Sequence, residues 1–192
     1  MSFNIPKAKK VLKKYLDDNR FEHTLGVMYT AACLAMKYGE DIEKAQVAGL
    51  LHDCAKCIPD QKKIKLCVKN RISMTEMEQK NPFLLHAKVG AFIAEEKYGV
   101  TDQEILDAIA CHTTGKPDMT RLEKIIYIAD YIEPMRSKAP NLEEVRKLAF
   151  DDLDRALFKI LSDTLNYLKR APKNLDPMTL QAYEYYKEKL MA

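Results

Sequence analysis

The sequence has no tryptophan, only six glycines and no long uncharged run. Each shortage excludes something. The longest stretch without a formal charge, His23 to Met36, is 14 residues, too short to span a bilayer. The opening Met-Ser-Phe-Asn-Ile-Pro-Lys-Ala-Lys-Lys has no apolar segment after its lysines, so no secretory signal is expected. The expectation is a cytoplasmic protein with no membrane partner. The five cysteines, Cys33, Cys54, Cys57, Cys67 and Cys111, are odd in number and irregular in spacing, which argues against a disulfide framework. Cys54-Ala-Lys-Cys57 is formally a CxxC pair, but no second pair accompanies it, and it closes a helical segment instead of opening one. Buried or incidental thiols are expected there, not zinc or redox chemistry. A net charge of +3 is too small to point to nucleic acid.

What is present is helix. Alanine, leucine, lysine and glutamate are plentiful and glycine is scarce, a balance that favours an all-α fold. Residues from about 7 to 18 read as a lysine-rich amphipathic helix. The next runs from about 20 to 38, with Phe21, Leu25, Met28, Ala32 and Ala35 on one apolar stripe. Gly39 supplies its left-handed stop. Asp41 caps a third helix that runs to about Lys56, and Pro59 ends that region. The basic segment from Asp60 to Arg71 reads as a solvated helix face in preference to a phosphate-binding patch. Asn81-Pro82 opens a helix that ends at Gly99. Thr101 to Glu104 is a capping box for one that ends at Gly115. Further helices are expected near 119–133, 141–170 with a break, and 177–190. No alternating strand pattern of useful length appears.

The four histidines, His23, His52, His86 and His112, occupy matched places in this plan, and Asp53 follows His52. Two helices joined by a tight turn run antiparallel. His86 lies 13 residues before Gly99 and His112 lies 13 after it, so both sit roughly 20 Å back from the turn. His23 and His52 flank Gly39 in the same way, 16 before and 13 after. This spacing sets axial position and leaves open which way each ring faces. The segment Ile125 to Ile132 adds one carboxylate, Asp130, inside an almost wholly apolar helix. Such a carboxylate needs a cation, a pairing with Arg136, or solvent. Histidine with aspartate is a mixed N/O set that suits iron, manganese or zinc, and magnesium less well.

His23, then His52-Asp53, then Asp130 resembles the HD superfamily of helical metal-dependent phosphohydrolases. Longer blocks are similar to its bacterial YqeK family: Arg20-Phe-Glu-His23-Thr-Leu-Gly26-Val, Ala48-Gly-Leu-Leu-His52-Asp53-Cys-Ala-Lys56, His86, His112-Thr-Thr-Gly115 and Asp130-Tyr-Ile-Glu133-Pro-Met-Arg136. The likeness runs from about residue 8 to the C-terminus and is looser over Lys173 to Tyr183. It implies a single HD-domain helical bundle over 1–192, with a metal and nucleotide core at about 18–136 and helices 141–190 packed on it. It implies an enzyme that cleaves diadenosine tetraphosphate symmetrically into two ADP. It implies a divalent metal, iron first with manganese or zinc as alternatives, held by His23, His52, Asp53 and Asp130.

By the same resemblance Asp53, Lys56, His86 and His112 take catalytic roles. Substrate is bound by Arg20, Asp53, Lys56, His86, His112, Thr113, Asp130 and Arg136, with Lys173 and Met178 in a loop that touches the nucleoside. His86 and His112 either donate to phosphate as imidazolium or bind a second metal. Glu133, three residues after Asp130, either orients a ligand or Arg136, or is an ordinary helix-end carboxylate. The rival readings are an HD phosphohydrolase of another nucleotide (a deoxynucleotide, a cyclic dinucleotide or a guanosine alarmone), a nucleotide sensor without turnover, and a structural helical protein. Tyr183, Tyr185, Tyr186 and Met191 of the last helix serve either the core or a homodimer interface.

Overall fold

Side-chain caps start most of the helices. The computed structural model describes residues 3–168 and 176–191, and among them every regular element is helical. Asn4 opens α1 (Ile5–Leu12), Asp17 opens α2 (Asp18–Tyr38) and Asp41 opens α3 (Ile42–Leu51), each side chain accepting from a backbone N–H three residues on. After α4 (Asp60–Asn70), Thr75 and Glu78 form a reciprocal capping box on the short α5 (Glu76–Lys80). A 3-10 turn at Pro82–Leu85 leads into α6 (His86–Tyr98). The remaining helices are α7 (Gln103–Cys111), α8 (Arg121–Ile132), α9 (Leu142–Ala149), α10 (Leu153–Leu168) and α11 (Pro177–Met191).

Two antiparallel hairpins carry the histidines. Gly39 and Gly99, at φ of +66° and +71°, stop α2 and α6 and reverse the chain. Within the first hairpin α2 and α3 approach backbone to backbone. A Cβ at Gly49 would lie 2.9 Å from Met28 Cα, so only glycine fits. Helix α8 packs on α2, α3 and α7, and α10 packs on α8. Ile125, Ile126 and Ile128 of α8 are fully buried, each contributing about 1.5–3 kcal/mol by leaving water. One apolar core runs from Ala8 of α1 to Tyr186 of α11. A smaller cluster of Ala55, Cys67, Leu85 and Val89 fastens α4 and the 3-10 turn to α6.

The structure departs from expectation at several points. Helix α1 stops at Leu12, because residues 13–16 form the corner that lets Asp17 cap α2. The expected box at Thr101 does not form. Asp102 is the cap, its side chain accepting from Glu104 N at 3.0 Å. The helix expected from Asn81 begins as the 3-10 turn, and α5 was not anticipated at all. The break within 141–170 falls at residues 150–152, where Asp152 accepts from Arg155 N at 3.0 Å. In the basic segment Lys63 is buried against Asp60, while Lys62, Lys65 and Lys69 point to solvent. On α11 Tyr186 is a core residue whose hydroxyl accepts from Met119 N at 2.8 Å. Tyr183 stacks on Phe158 and Met191 is exposed. Among the described residues no helix is long and apolar enough to cross a membrane.

Candidate metal centre and substrate cleft

The structure brings all four histidines together. Neighbouring rings lie edge to face, with centroids 5.4 Å apart for His23 and His52, 5.0 Å for His52 and His112, and 5.0 Å for His86 and His112. Asp53 stands at the centre and is buried. Its Oδ2 lies 3.5 Å from His52 Nε2 and 3.9 Å from His23 Nε2. Asp130 Oδ1 completes this side, 3.0 Å from His23 Nε2 and 3.8 Å from His52 Nε2.

Tautomers follow from the partners of the other ring nitrogens. His52 Nδ1 donates to Gly49 O at 2.7 Å, and His23 Nδ1 donates to Glu133 Oε1 at 2.9 Å. Their Nε2 atoms therefore carry lone pairs, and both are buried with no hydrogen-bond partner. Arg20 and Arg136 each donate to one of the two carboxylates, but neither reaches a ring, so at one point the two ring lone pairs face carboxylate oxygens with no proton between them and would repel. A cation at that point removes the conflict, so the donor set fits a divalent metal of borderline hardness. His23, His52 and Asp130 offer three donor atoms within 4.8 Å of one another.

The opposite side of Asp53 is finished differently. Asp53 Oδ1 lies 3.3 Å from His86 Nε2 and 3.5 Å from His112 Nε2. These rings also donate through Nδ1 to backbone, to Phe83 O at 2.6 Å and Ile109 O at 2.7 Å. Their Nε2 atoms have donors of their own. Lys56 Nζ donates to His86 Nε2 at 3.0 Å, and the Thr113 hydroxyl lies 3.0 and 3.2 Å from His86 and His112 Nε2. Burial, with His112 and Lys56 alongside, pushes the His86 imidazole down to about 3, so it is neutral near pH 7. Burial also lowers Lys56.

A cleft of about 360 Å³ opens beside this cluster, lined by Lys56, His86, His112, Thr113, Asp130 and Arg136. Arg136 Nη2 donates to Asp130 Oδ1 at 2.6 Å, so Asp130 meets both an arginine and the histidines. Arg20 lies outside the lining and donates to Asp53 Oδ2 at 2.7 Å. The far wall is Tyr127, Tyr131, Ile160 and Thr164, none of which was singled out in the sequence. The signal for two of them was legible: Tyr127, Asp130 and Tyr131 share one helix face by their spacing. Ile160 and Thr164 come from α10 and gave none. Met178 is exposed at the start of α11 and is not among the described residues that line the cleft. Lys173 lies outside the described residues. Among the described residues the five cysteines are free. Cys54 is buried, its thiol donating to Gly90 O at 3.4 Å and pushed up to about 12 by burial, while Cys57 is exposed.

Residues 20–135, the span that holds this cluster, match the HD domain family model. The chain is 41% identical over 182 residues to the symmetrical bis(5'-nucleosyl)-tetraphosphatase of Bacillus subtilis (strain 168), covering 95% of this chain and 97% of that one. It is 37% identical to the protein of the same name from Staphylococcus aureus (strain NCTC 8325 / PS 47), over 95% of this chain and 94% of that one. A crystal structure from Clostridium acetobutylicum, described as that of a predicted HD superfamily hydrolase involved in NAD metabolism, superposes with a TM-score of 0.94 at 40% identity, covering 98% of this chain and 100% of the other. The chain therefore belongs to the HD-domain family and, within it, to the YqeK family.

Proposed function

We propose that this protein is a metal-dependent hydrolase that cleaves diadenosine tetraphosphate symmetrically into two ADP. One observation carries the metal requirement: His23 Nε2 and His52 Nε2 are buried beside two carboxylates with no hydrogen-bond partner. The names of the relatives carry the substrate class. His23, His52, Asp53 and Asp130 hold the ion, which is iron, with manganese and zinc as the alternatives that the same donors accept. A bound divalent ion supplies Lewis-acid activation of water and of a phosphoryl oxygen at neutral pH.

The protein's own groups do the rest. Asp53 is fixed by Arg20 and orients the attacking water toward a phosphorus beside the central bridging oxygen. Lys56 and Arg136 flank the phosphates, and Arg136 can bind two oxygens at once. His86 is neutral, so it acts as an acceptor that aims Lys56, and His112 does the same for the Thr113 hydroxyl. ADP leaves in line with the attack. The wall of Tyr127, Tyr131 and Ile160 receives the nucleoside.

A second reading has one observation in its favour. Asp53 Oδ1 lies 3.3 Å from His86 Nε2 and 3.5 Å from His112 Nε2, and the two ring nitrogens are 3.2 Å apart, so these three atoms could share a second ion. Metal content of His112→Ala separates the two: full retention supports one ion, and loss of half indicates two. The substrate is tested by product identification over a panel of nucleotides. ADP as the sole product from diadenosine tetraphosphate, with slower turnover of deoxynucleotides and cyclic dinucleotides, supports the proposal. Tight binding without hydrolysis by metal-loaded protein would make it a sensor.

A further inference from the structure

Three of the four histidines are oriented by backbone. His52, His86 and His112 each donate to the carbonyl three residues back. The carbonyls of Gly49 and Ile109 lie in the last turns of α3 and α7, where C=O groups run out of N–H partners along the helix, and that of Phe83 lies in the 3-10 turn before α6. His23 cannot use this device. It is the sixth residue of α2, and the carbonyl of Arg20 lies within the helix, where the N–H to C=O ladder engages it. A side chain must take that part.

The structure supplies Glu133. Its carboxylate is buried, with Oε1 2.9 Å from His23 Nδ1 and Oε2 accepting from Met135 N at 2.6 Å. Its backbone is pinned from behind. Arg146 of α9 donates to the carbonyls of Ile132, Glu133 and Arg136 at 2.9, 3.0 and 2.9 Å, closing the end of α8. Gly26, nearly one turn after His23, provides the room. A Cβ there would lie 2.4 Å from Glu133 Oε2 and 3.2 Å from its Cδ. Helix α2 thus leaves a notch for a carboxylate directly beside the ring it must hold.

We infer that Gly26 and Glu133 form a socket that sets the tautomer and aim of His23, which makes Glu133 a positioning residue for the metal. The inference rests on the reading of His23 as a metal ligand. A charged acceptor also makes His23 Nε2 a stronger donor to the ion than a carbonyl would.

Chelator competition gives the metal dissociation constant independently of turnover. Glu133→Gln keeps the volume but leaves one acceptor for two N–H groups, and should weaken metal binding about 10–100-fold. Gly26→Ala displaces the carboxylate and should weaken it over a similar range. In a Glu133→Ala background, Gly26→Ala should add no further loss, because the group it would displace is gone. Unchanged affinity in Glu133→Gln and Gly26→Ala, alongside loss of metal in His52→Ala, would overturn the socket and leave the metal reading intact. Independent, multiplying losses in the double variant would also overturn it. Metal retained by His52→Ala would overturn the metal reading itself. If Gly26→Ala alone does not fold, Glu133→Gln and the double variant, where the collision is absent, still decide the matter.

Discussion

The two oxygens of Asp53 face clusters made of the same residue types and completed in opposite ways. On the Oδ2 side, His23 and His52 present lone pairs that no donor meets. On the Oδ1 side, His86 and His112 present the same lone pairs to Lys56 and Thr113. Histidine alone therefore does not mark the metal position. What marks it is a pair of buried ring nitrogens that no donor reaches, His23 Nε2 and His52 Nε2. In the first cluster Arg20 and Arg136 reach the carboxylates but nothing reaches the two ring nitrogens, which ask for an ion, whereas the second has Lys56 and Thr113 on its rings and opens on the cleft, where phosphates would meet it.

The largest effect should come from breaking the first side. His52→Ala or Asp53→Ala should lose bound metal, measured by elemental analysis, and hydrolysis should fall to the buffer background. Full activity in either purified variant would erase the distinction between the two sides. His112→Ala should act on the second side alone. We expect it to keep its metal while kcat falls about 100-fold, the cost of misplacing a polar group by about an ångström. Arg136→Ala probes the cleft rim. KM should rise about 10–100-fold, the equivalent of one charge-assisted hydrogen bond of about 1.5–3 kcal/mol. An unchanged KM would place the phosphates elsewhere. The smallest effect is behind the site: Tyr186→Phe strands the buried Met119 N–H and should cost about 1–3 kcal/mol of stability in denaturant melts, with metal content unaltered.

Much of this arrangement was legible before the fold was known. Caps at Asp41 and stops at Gly39 and Gly99 locate the hairpins, and equal spacing about Gly99 sets His86 level with His112. Other features lie beyond local pattern. Helix α5 has five residues, too few for a 3.6-residue periodicity to show. Asp102 displaces Thr101 as a cap although both are good capping residues, a choice made by backbone geometry. Glu133 is legible as a candidate for orienting a ligand or Arg136, but that its partner is His23, 110 residues away, and that Gly26 is the notch admitting it, depend on how α8 packs on α2. The cleft wall from α10 depends on how a helix packs after two turns of chain, so Ile160 and Thr164 carried no signal.

The most direct measurement is titration of ferrous ion, without oxygen, into chelator-stripped protein while nucleotide release from diadenosine tetraphosphate is followed. Activity should be absent at the start, rise with added metal to a plateau, and yield ADP alone. Hydrolysis at full rate by the stripped protein, or release of ATP with AMP, would contradict a symmetric cleavage driven from the His23, His52, Asp53 and Asp130 cluster.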